Sequence, residues 1–214
     1  MRFPLTALNL RGRLLAPSFG LALALSLFLL VTGCNHFQPV DTAPLDAAGM
    51  NYSAIKQLKA LRVTTPEVAE IVRVRQAGFP DSSCVALLQI YRDRKENFTD
   101  GEGAAGLAQA GIADDVVLEL ARLGQLGSNA GELEAIRLVG LPDSLVLAVA
   151  RRQSQNQPVL SGASLGKLKN TGMRADTLAV LVDRGLPDSE AATILADRHR
   201  GMSDAEILRH FSGT

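Results

Sequence analysis

The chain has 214 residues with 22 basic and 22 acidic side chains, so its formal net charge is zero. Residues 1–33 hold three arginines and no acid, which leaves 19 basic and 22 acidic side chains in the rest of the chain. A weakly acidic body excludes the broad basic footprint of a nucleic-acid-binding protein. The chain also has no tryptophan and few aromatic residues, which argues against stacking platforms for sugars or bases.

The N-terminal segment has the layout of a secretory signal. Three arginines precede an apolar stretch, residues 14–31, and no acid interrupts them. The uninterrupted apolar part is shorter than the ~20 residues of a membrane-spanning helix. A basic start before a short apolar core is typical of a signal peptide. The segment ends in the tetrapeptide VTGC, residues 31–34.

This tetrapeptide resembles the lipobox of bacterial lipoproteins, in which an aliphatic residue and two small residues precede a cysteine. The resemblance implies that residues 1–33 are removed, that Cys34 carries diacylglycerol, and that its new amino group is acylated. Two or three acyl chains anchor a protein stably where one does not. Within this resemblance, Asn35 implies onward transfer to the outer membrane, facing the periplasm. Retention in the inner membrane is the alternative location. The alternative is that Cys34 is a buried thiol at the end of an uncleaved anchor.

The segment after the cysteine, residues 34–51, is polar, contains two prolines and shows no apolar period. This composition predicts a flexible tether. The folded domain is then expected over residues 52–214, which is long enough for one domain or two small ones.

Five stretches in this domain share one pattern around a glycine. An aliphatic residue lies four positions before the glycine and an apolar residue directly follows it. The glycines are Gly78, Gly111, Gly140, Gly172 and Gly185. These offsets match the contact positions of a helix that ends at a glycine in the left-handed conformation. An aspartate follows each glycine after three or four residues, where a carboxylate faces the free N–H groups of the next helix.

The remaining patterns are also helical. Apolar residues recur at intervals of three and four, and no segment alternates as a strand does. Thr64 with Glu67 and Ser203 with Glu206 match the spacing of a capping box. Gly201 is a degenerate sixth end, because Asp197 occupies its aliphatic position.

The sequence therefore predicts an all-α fold of about ten short helices, arranged as repeated helical hairpins. Two arrangements fit the pattern, an α-solenoid-like stack and a compact orthogonal bundle. The pattern resembles short helix-turn-helix repeats of bacterial envelope proteins whose function is uncharacterised, and it implies a fold more than a function.

Two sequence motifs suggest chemistry without its structural context. Residues 101–106, GEGAAG, fit the dinucleotide-binding pattern, but charged residues precede them where a buried strand is required. They instead predict a turn into a helix of small residues. Residues 162–166, GASLG, fit the nucleophile pattern of α/β-hydrolases, with Asp183 and His199 following in the expected order. No parallel-strand run surrounds Ser164, which equally suits a helix N-terminus.

The other reactive side chains give little support for catalysis. Cys84 lies in an apolar stretch without a nearby histidine, which predicts a buried structural thiol. His199 and His210 have no cysteine or acid at ligand spacing, so no metal or other cofactor is expected.

These observations favour a non-enzymatic, lipid-anchored helical module that binds a protein partner at the cell envelope. The membrane contact is made by the lipid on Cys34, and nucleic acid is not a partner. Two alternatives stay open: a small envelope serine hydrolase that uses Ser164 with His199, and a purely structural lipoprotein.

Overall fold

The computed structural model describes residues 40–213, so the predictions for the signal peptide and for Cys34 concern residues outside this range. Within it the chain forms twelve α-helices and two 3-10 helices, and no residue of the range is in a strand. The all-α prediction is confirmed. The α-helices are α1 Ala43–Ala47, α2 Tyr52–Ala60, α3 Thr65–Gln76, α4 Asp81–Asp93, α5 Gly101–Gln109, α6 Asp114–Arg122, α7 Ala130–Leu138, α8 Asp143–Ser154, α9 Gly162–Asn170, α10 Ala175–Asp183, α11 Ala191–His199 and α12 Asp204–His210. The 3-10 helices are Asp188–Glu190 and Phe211–Gly213.

Consecutive helices pair as six hairpins, numbered 1 to 6 from α1–α2 to α11–α12. Each helix has its main contacts with its hairpin partner and with the corresponding helix of the hairpin before or after it. The first helices of the hairpins therefore form one layer and the second helices form another, with the apolar core between them. Of the two arrangements that the sequence allowed, residues 40–213 adopt the stack.

Nearly all helices end in the same way. The residue after the C-cap of α1 to α11 has a positive φ, and eight of these residues are glycines. Gly140 is representative: its φ is +79°, and the N–H of Leu141 donates to the carbonyl of Ile136 at 3.3 Å. Ile136 and Leu141 are both fully buried. This is the helix end that the sequence predicts for five glycines, and Gly201 follows it as well.

The folded part begins earlier than the sequence predicts. Helix α1 lies inside the segment expected to be a tether, with Pro44 in its first turn, and it packs against α3. Leu45 is fully buried, and Met50 is nearly so. These two residues stand four before and one after Gly49, so α1 follows the repeat pattern despite its polar, proline-containing sequence. The tether prediction is therefore corrected for residues 43–51, whereas residues 34–39 lie outside the described range.

The motif GEGAAG forms the first part of helix α5, where its glycines allow close packing. A Cβ on Gly103 would lie 1.9 Å from the carbonyl oxygen of Leu126. A Cβ on Gly101 would lie 2.8 Å from the carbonyl oxygen of Glu70 in α3. The glycines therefore allow backbone segments to approach each other. The small-residue helix is present as predicted, but it begins at Gly101 itself instead of after a turn, and no residue from 40 to 100 is in a strand.

A buried carboxylate, Glu67, joins the start of hairpin 2, its second helix and the segment that leads to hairpin 3. Its oxygens accept hydrogen bonds from the guanidinium of Arg92 at 2.5 and 2.7 Å and from the N–H of Phe98 at 2.9 Å. The N–H of Thr64, as the predicted capping box requires, and the hydroxyl of Thr64 complete the set. Arg92 also donates to the carbonyl of Leu61 at the end of hairpin 1. Burial by itself raises the pKa of Glu67, but these hydrogen bonds lower it from 4.5 to about 2.

Candidate functional site

Ser164, the candidate nucleophile, lies in the first turn of α9 and is buried. Its N–H donates to the hydroxyl oxygen of the N-cap residue Ser161 at 3.2 Å, as expected for a helix cap. The N–H of Ser161 donates in turn to Asp188 at 2.8 Å. Burial raises the pKa of Asp188, but hydrogen bonds from the hydroxyl of Ser164 and from Ser161 lower it overall. The hydroxyl of Ser164 is thus part of a helix-start contact.

The surroundings of Ser164 differ from those of a hydrolase nucleophile. A nucleophile elbow places the serine on a sharp turn between a strand and a helix, and residues 40–213 contain no strand. Asp183 and His199 are the last residues of α10 and α11. In the described residues no hydrogen bond joins either side chain to Ser164.

Cys84 is 1% exposed and has no disulfide partner. Burial raises the pKa of its thiol to about 12, and the positive charge of Arg75 offsets this only in part. A thiol with this pKa is protonated at neutral pH, so Cys84 lacks the thiolate that a nucleophile or metal ligand needs.

His210 contacts a buried carboxylate. Its Nδ1 lies 2.7 Å from an oxygen of Asp197, which also pairs with Arg200. Burial raises the pKa of Asp197, but the contacts with His210 and Arg200 lower it overall. Asp197 stands where the other helix ends mostly place an aliphatic residue, so these contacts hold together the two helices of hairpin 6. Residues 40–213 contain no group of three or more histidine, cysteine, aspartate or glutamate side chains suited to a metal ion.

The boundary between two consecutive hairpins is called a seam. Some seams contain a recurring arginine contact that the glycine pattern by itself does not predict. In hairpin 2, Arg75 lies three residues before Gly78. Its Nε is 2.8 Å from Oδ1 of Asp81, and its guanidinium donates to the carbonyl of Phe79 at 3.1 Å. It also reaches the carbonyl of Gly49, at the end of α1 in the preceding hairpin, at 3.5 Å. We call this set of contacts an arginine clip.

The clip recurs in every second hairpin. In hairpin 4, Arg137 contacts the carbonyls of Gly111 and Leu141 at 3.2 and 3.3 Å and Oδ1 of Asp143 at 3.3 Å. In hairpin 6, Arg198 contacts the carbonyls of Gly172 and Met202 at 3.3 and 3.0 Å and Oδ1 of Asp204 at 2.9 Å. The three arginines are 62 and 61 residues apart, so the structural repeat is a pair of hairpins.

The other oxygen of each clip aspartate contacts the preceding hairpin. It accepts a hydrogen bond from the backbone N–H of the N-cap residue of that hairpin's second helix, at 2.9 to 3.1 Å. The pairs are Asp81 with Asn51, Asp143 with Ala113, and Asp204 with Arg174. Each clip therefore joins two hairpins in two ways: Oδ2 of the aspartate accepts directly from the preceding hairpin, and Oδ1 pairs with the arginine that reaches the preceding hairpin.

The seams between hairpins 2 and 3 and between hairpins 4 and 5 have no clip. In both, the N-cap residue of the preceding hairpin's second helix is a proline. Pro80 and Pro142 are the N-cap residues of α4 and α8, and proline has no N–H to donate. At the seam between hairpins 2 and 3, Oδ2 of Asp114 instead accepts a hydrogen bond from the hydroxyl of Ser83 at 2.8 Å. At the seam between hairpins 4 and 5, the aspartate that follows the helix-end glycine is Asp176, and its side chain is 83% exposed to solvent.

A groove of about 310 Å³ lies at the seam between hairpins 2 and 3. The ends of α3 and α5 and the loops that follow them line this seam groove, including Gly78, Phe79, Pro80, Ala108, Ile112 and Asp114. Gly78 and Pro80 are exposed, so the groove can be reached from solvent. It combines an apolar wall with one carboxylate and with backbone carbonyls, a lining that can hold a side chain with an apolar stem and a cationic head.

A larger groove, about 360 Å³, lies beside the starts of α5 and α7 and has an acidic lining that includes Asp100, Glu102 and Glu134. The hydroxyl of Tyr91 donates to Asp100 at 2.5 Å and holds this carboxylate in place. Both grooves therefore favour cationic over anionic groups.

No helix within residues 40–213 has the length and apolarity needed to cross a bilayer. Neither a protein-family model nor a curated protein matches the chain.

Proposed function

We propose that this chain is a lipid-anchored envelope protein whose helical stack is a non-enzymatic interaction module for a protein partner. The observation that carries the proposal is the open stack of six hairpins. Stacked hairpins offer an extended surface along their length, and proteins of this architecture commonly use such surfaces for binding. The seam groove and the acidic groove open onto this surface.

The engagement of the reactive side chains in structural contacts supports the non-enzymatic part of the proposal. The hydroxyl of Ser164 contributes to the start of α9, the thiol of Cys84 is buried, and His210 contacts Asp197. The anchor rests on the tetrapeptide VTGC at the end of an apolar segment. Outer-membrane location, facing the periplasm, rests on Asn35 alone.

The anchor predicts that the Cys34→Ser variant accumulates as an unprocessed precursor without lipid, because the acylated thiol is lost. Growth with a labelled fatty acid, followed by immunoprecipitation and gel electrophoresis, measures both properties. Cys84→Ala is the matched control and should be processed and labelled like the parent, since Cys84 lies in the core. Label in the Cys34→Ser protein would rule out the lipobox.

The interaction module predicts a discrete adduct with another envelope protein when intact cells are treated with a short chemical crosslinker. The Ser164→Ala variant should give the same adduct and support the same cellular phenotype, because the Ser164 hydroxyl makes only structural contacts, with Ser161 and Asp188. Loss of the phenotype in a Ser164→Ala protein that is still folded and crosslinked would favour the hydrolase alternative over this proposal.

A further inference from the structure

The arginine clips show which acceptor atoms at a hairpin seam contact a guanidinium. Each clip arginine meets three acceptors: Oδ1 of the aspartate three residues after the helix-end glycine, the carbonyl directly after that glycine, and the carbonyl of the glycine that ends the preceding hairpin's first helix. For Arg75 these acceptors belong to Asp81, Phe79 and Gly49. A planar guanidinium with several N–H groups can satisfy such a set, whereas an ammonium is a compact point charge.

The residues that carry the three equivalent acceptors all line the seam groove. By position in the repeat, the acceptors are Oδ1 of Asp114, the carbonyl of Ile112 and the carbonyl of Gly78. Ala108 stands three residues before Gly111, where the clips have arginine. Among the described residues, Asp114 forms no ion pair, and its one side-chain hydrogen bond, from Ser83, uses Oδ2. The oxygen that faces arginine in the clips is therefore left for another donor.

We infer that the seam groove binds an arginine side chain of the partner protein, an inference that rests on the proposed function. The guanidinium contacts Asp114, Ile112 and Gly78 as the chain's own arginines contact the equivalent groups. The methylene stem of the arginine packs on the apolar wall formed by Pro80 and Ala108. The site thus selects a basic partner surface that presents at least one accessible arginine, and it discriminates against lysine by geometry.

The chain itself offers a test of this geometry through the Ala108→Arg variant. An arginine at this position should reach the groove as Arg75 and Arg137 reach theirs, and it should raise the Tm by about 2–4 °C. Gln109→Arg is the matched control, since it adds the same charge on the same helix at an exposed position one residue away. Adding Asp114→Asn to Ala108→Arg should remove the gain. Equal melting of the two arginine variants would overturn the assignment of the groove.

Binding from solution is tested with the detergent-solubilised full chain and a blocked Gly-Gly-Arg-Gly-Gly peptide, followed by the amide NMR signals of Gly78, Ile112 and Asp114. The peptide should shift these signals saturably, and the peptides with lysine or citrulline in place of arginine should bind at least about tenfold more weakly. Ala108→Arg should abolish binding, Gln109→Arg should preserve it, and Asp114→Asn should weaken it about tenfold. Equal binding of the arginine peptide to the Ala108→Arg variant would overturn the inference, as would equal binding of the lysine peptide.

The crosslinking experiment separates this inference from the proposed function. A wild-type adduct that disappears in Ala108→Arg and remains in Gln109→Arg supports both. An adduct that remains in Ala108→Arg overturns the groove as the partner site and leaves the interaction module standing. Peptide binding without any cellular adduct supports the arginine site and counts against the proposed function.

Discussion

Replacement of Glu67 by alanine is expected to lower the free energy of unfolding by about 3–5 kcal/mol, the usual cost of breaking a buried ion pair from one side. Glu67 is 1% exposed, and its two oxygens serve Arg92, Phe98 and Thr64. Alanine leaves the N–H of Phe98 without its acceptor and removes the carboxylate that pairs with Arg92, whose guanidinium keeps only backbone carbonyls. Urea unfolding followed by circular dichroism measures the loss. A midpoint close to that of the parent would contradict the central role of this carboxylate.

The same residue should make the stability depend on pH in the acid range. Folding lowers the pKa of Glu67 from 4.5 to about 2, so the stabilisation is fully present above pH 4.5 and disappears as the pH falls towards 2. The loss amounts to about 3 kcal/mol over this range. Glu67→Gln keeps the size of the side chain without its titration. The difference in unfolding free energy between parent and Glu67→Gln should therefore shrink steadily from pH 5 to pH 2, and a constant difference would disprove the assignment.

Replacement of Gly103 by alanine is expected to cost about 3 kcal/mol, at the upper end of what overpacking usually costs. The new Cβ would lie 1.9 Å from the carbonyl oxygen of Leu126 and 2.8 Å from the Cβ of Ala130. The Leu126 contact is with backbone, which cannot move aside as a flexible side chain can, so α5 must shift away from α7. Thermal and urea unfolding measure the effect.

Gly131→Ala is the matched control for this prediction. Gly131 lies in the first turn of α7, and a Cβ there meets no atom within 4 Å. Alanine restricts the unfolded chain more than glycine does, so the variant should be as stable as the parent or up to about 1 kcal/mol more stable. If both alanine variants unfolded alike, close packing at Gly103 would not be what fixes the distance between α5 and α7.

The sequence predicts six of the eight helix ends that glycine marks. The other two are Gly49, in the segment expected to be a tether, and Gly124, which the polar Gln125 follows. The contact pair around Gly140 is visible as Ile136 and Leu141, and both residues are buried as expected. The ends of α2, α4 and α8 lack this glycine, because Arg62, Lys95 and Asn156 adopt the positive φ there. Arginine and lysine at such positions carry no compositional signal, since the fold around them imposes the conformation, and an asparagine such as Asn156 carries only a weak one.

The contacts between hairpins were harder to predict than the helices. The choice between a stack and a bundle depends on which hairpins meet, and the apolar period is the same in both arrangements. The arginine clips do leave a signal, because Arg75, Arg137 and Arg198 recur with a glycine and an aspartate at fixed offsets. The groove beside Ala108 can be recognised as a candidate site only by comparison with the clips, which have arginine at the equivalent position. A single alanine in a helix does not indicate a site.

The confinement of contacts to neighbouring hairpins has a consequence for how the chain acquires its structure. Within residues 40–213, no side-chain hydrogen bond joins residues more than 31 positions apart. Each contact therefore closes only a short loop, and proteins dominated by such local contacts fold fast. Hairpin 1 and hairpin 2 already contain all the groups of their clip, so they can assemble while the later hairpins are still being synthesised. Each later hairpin then adds to a surface that is already folded.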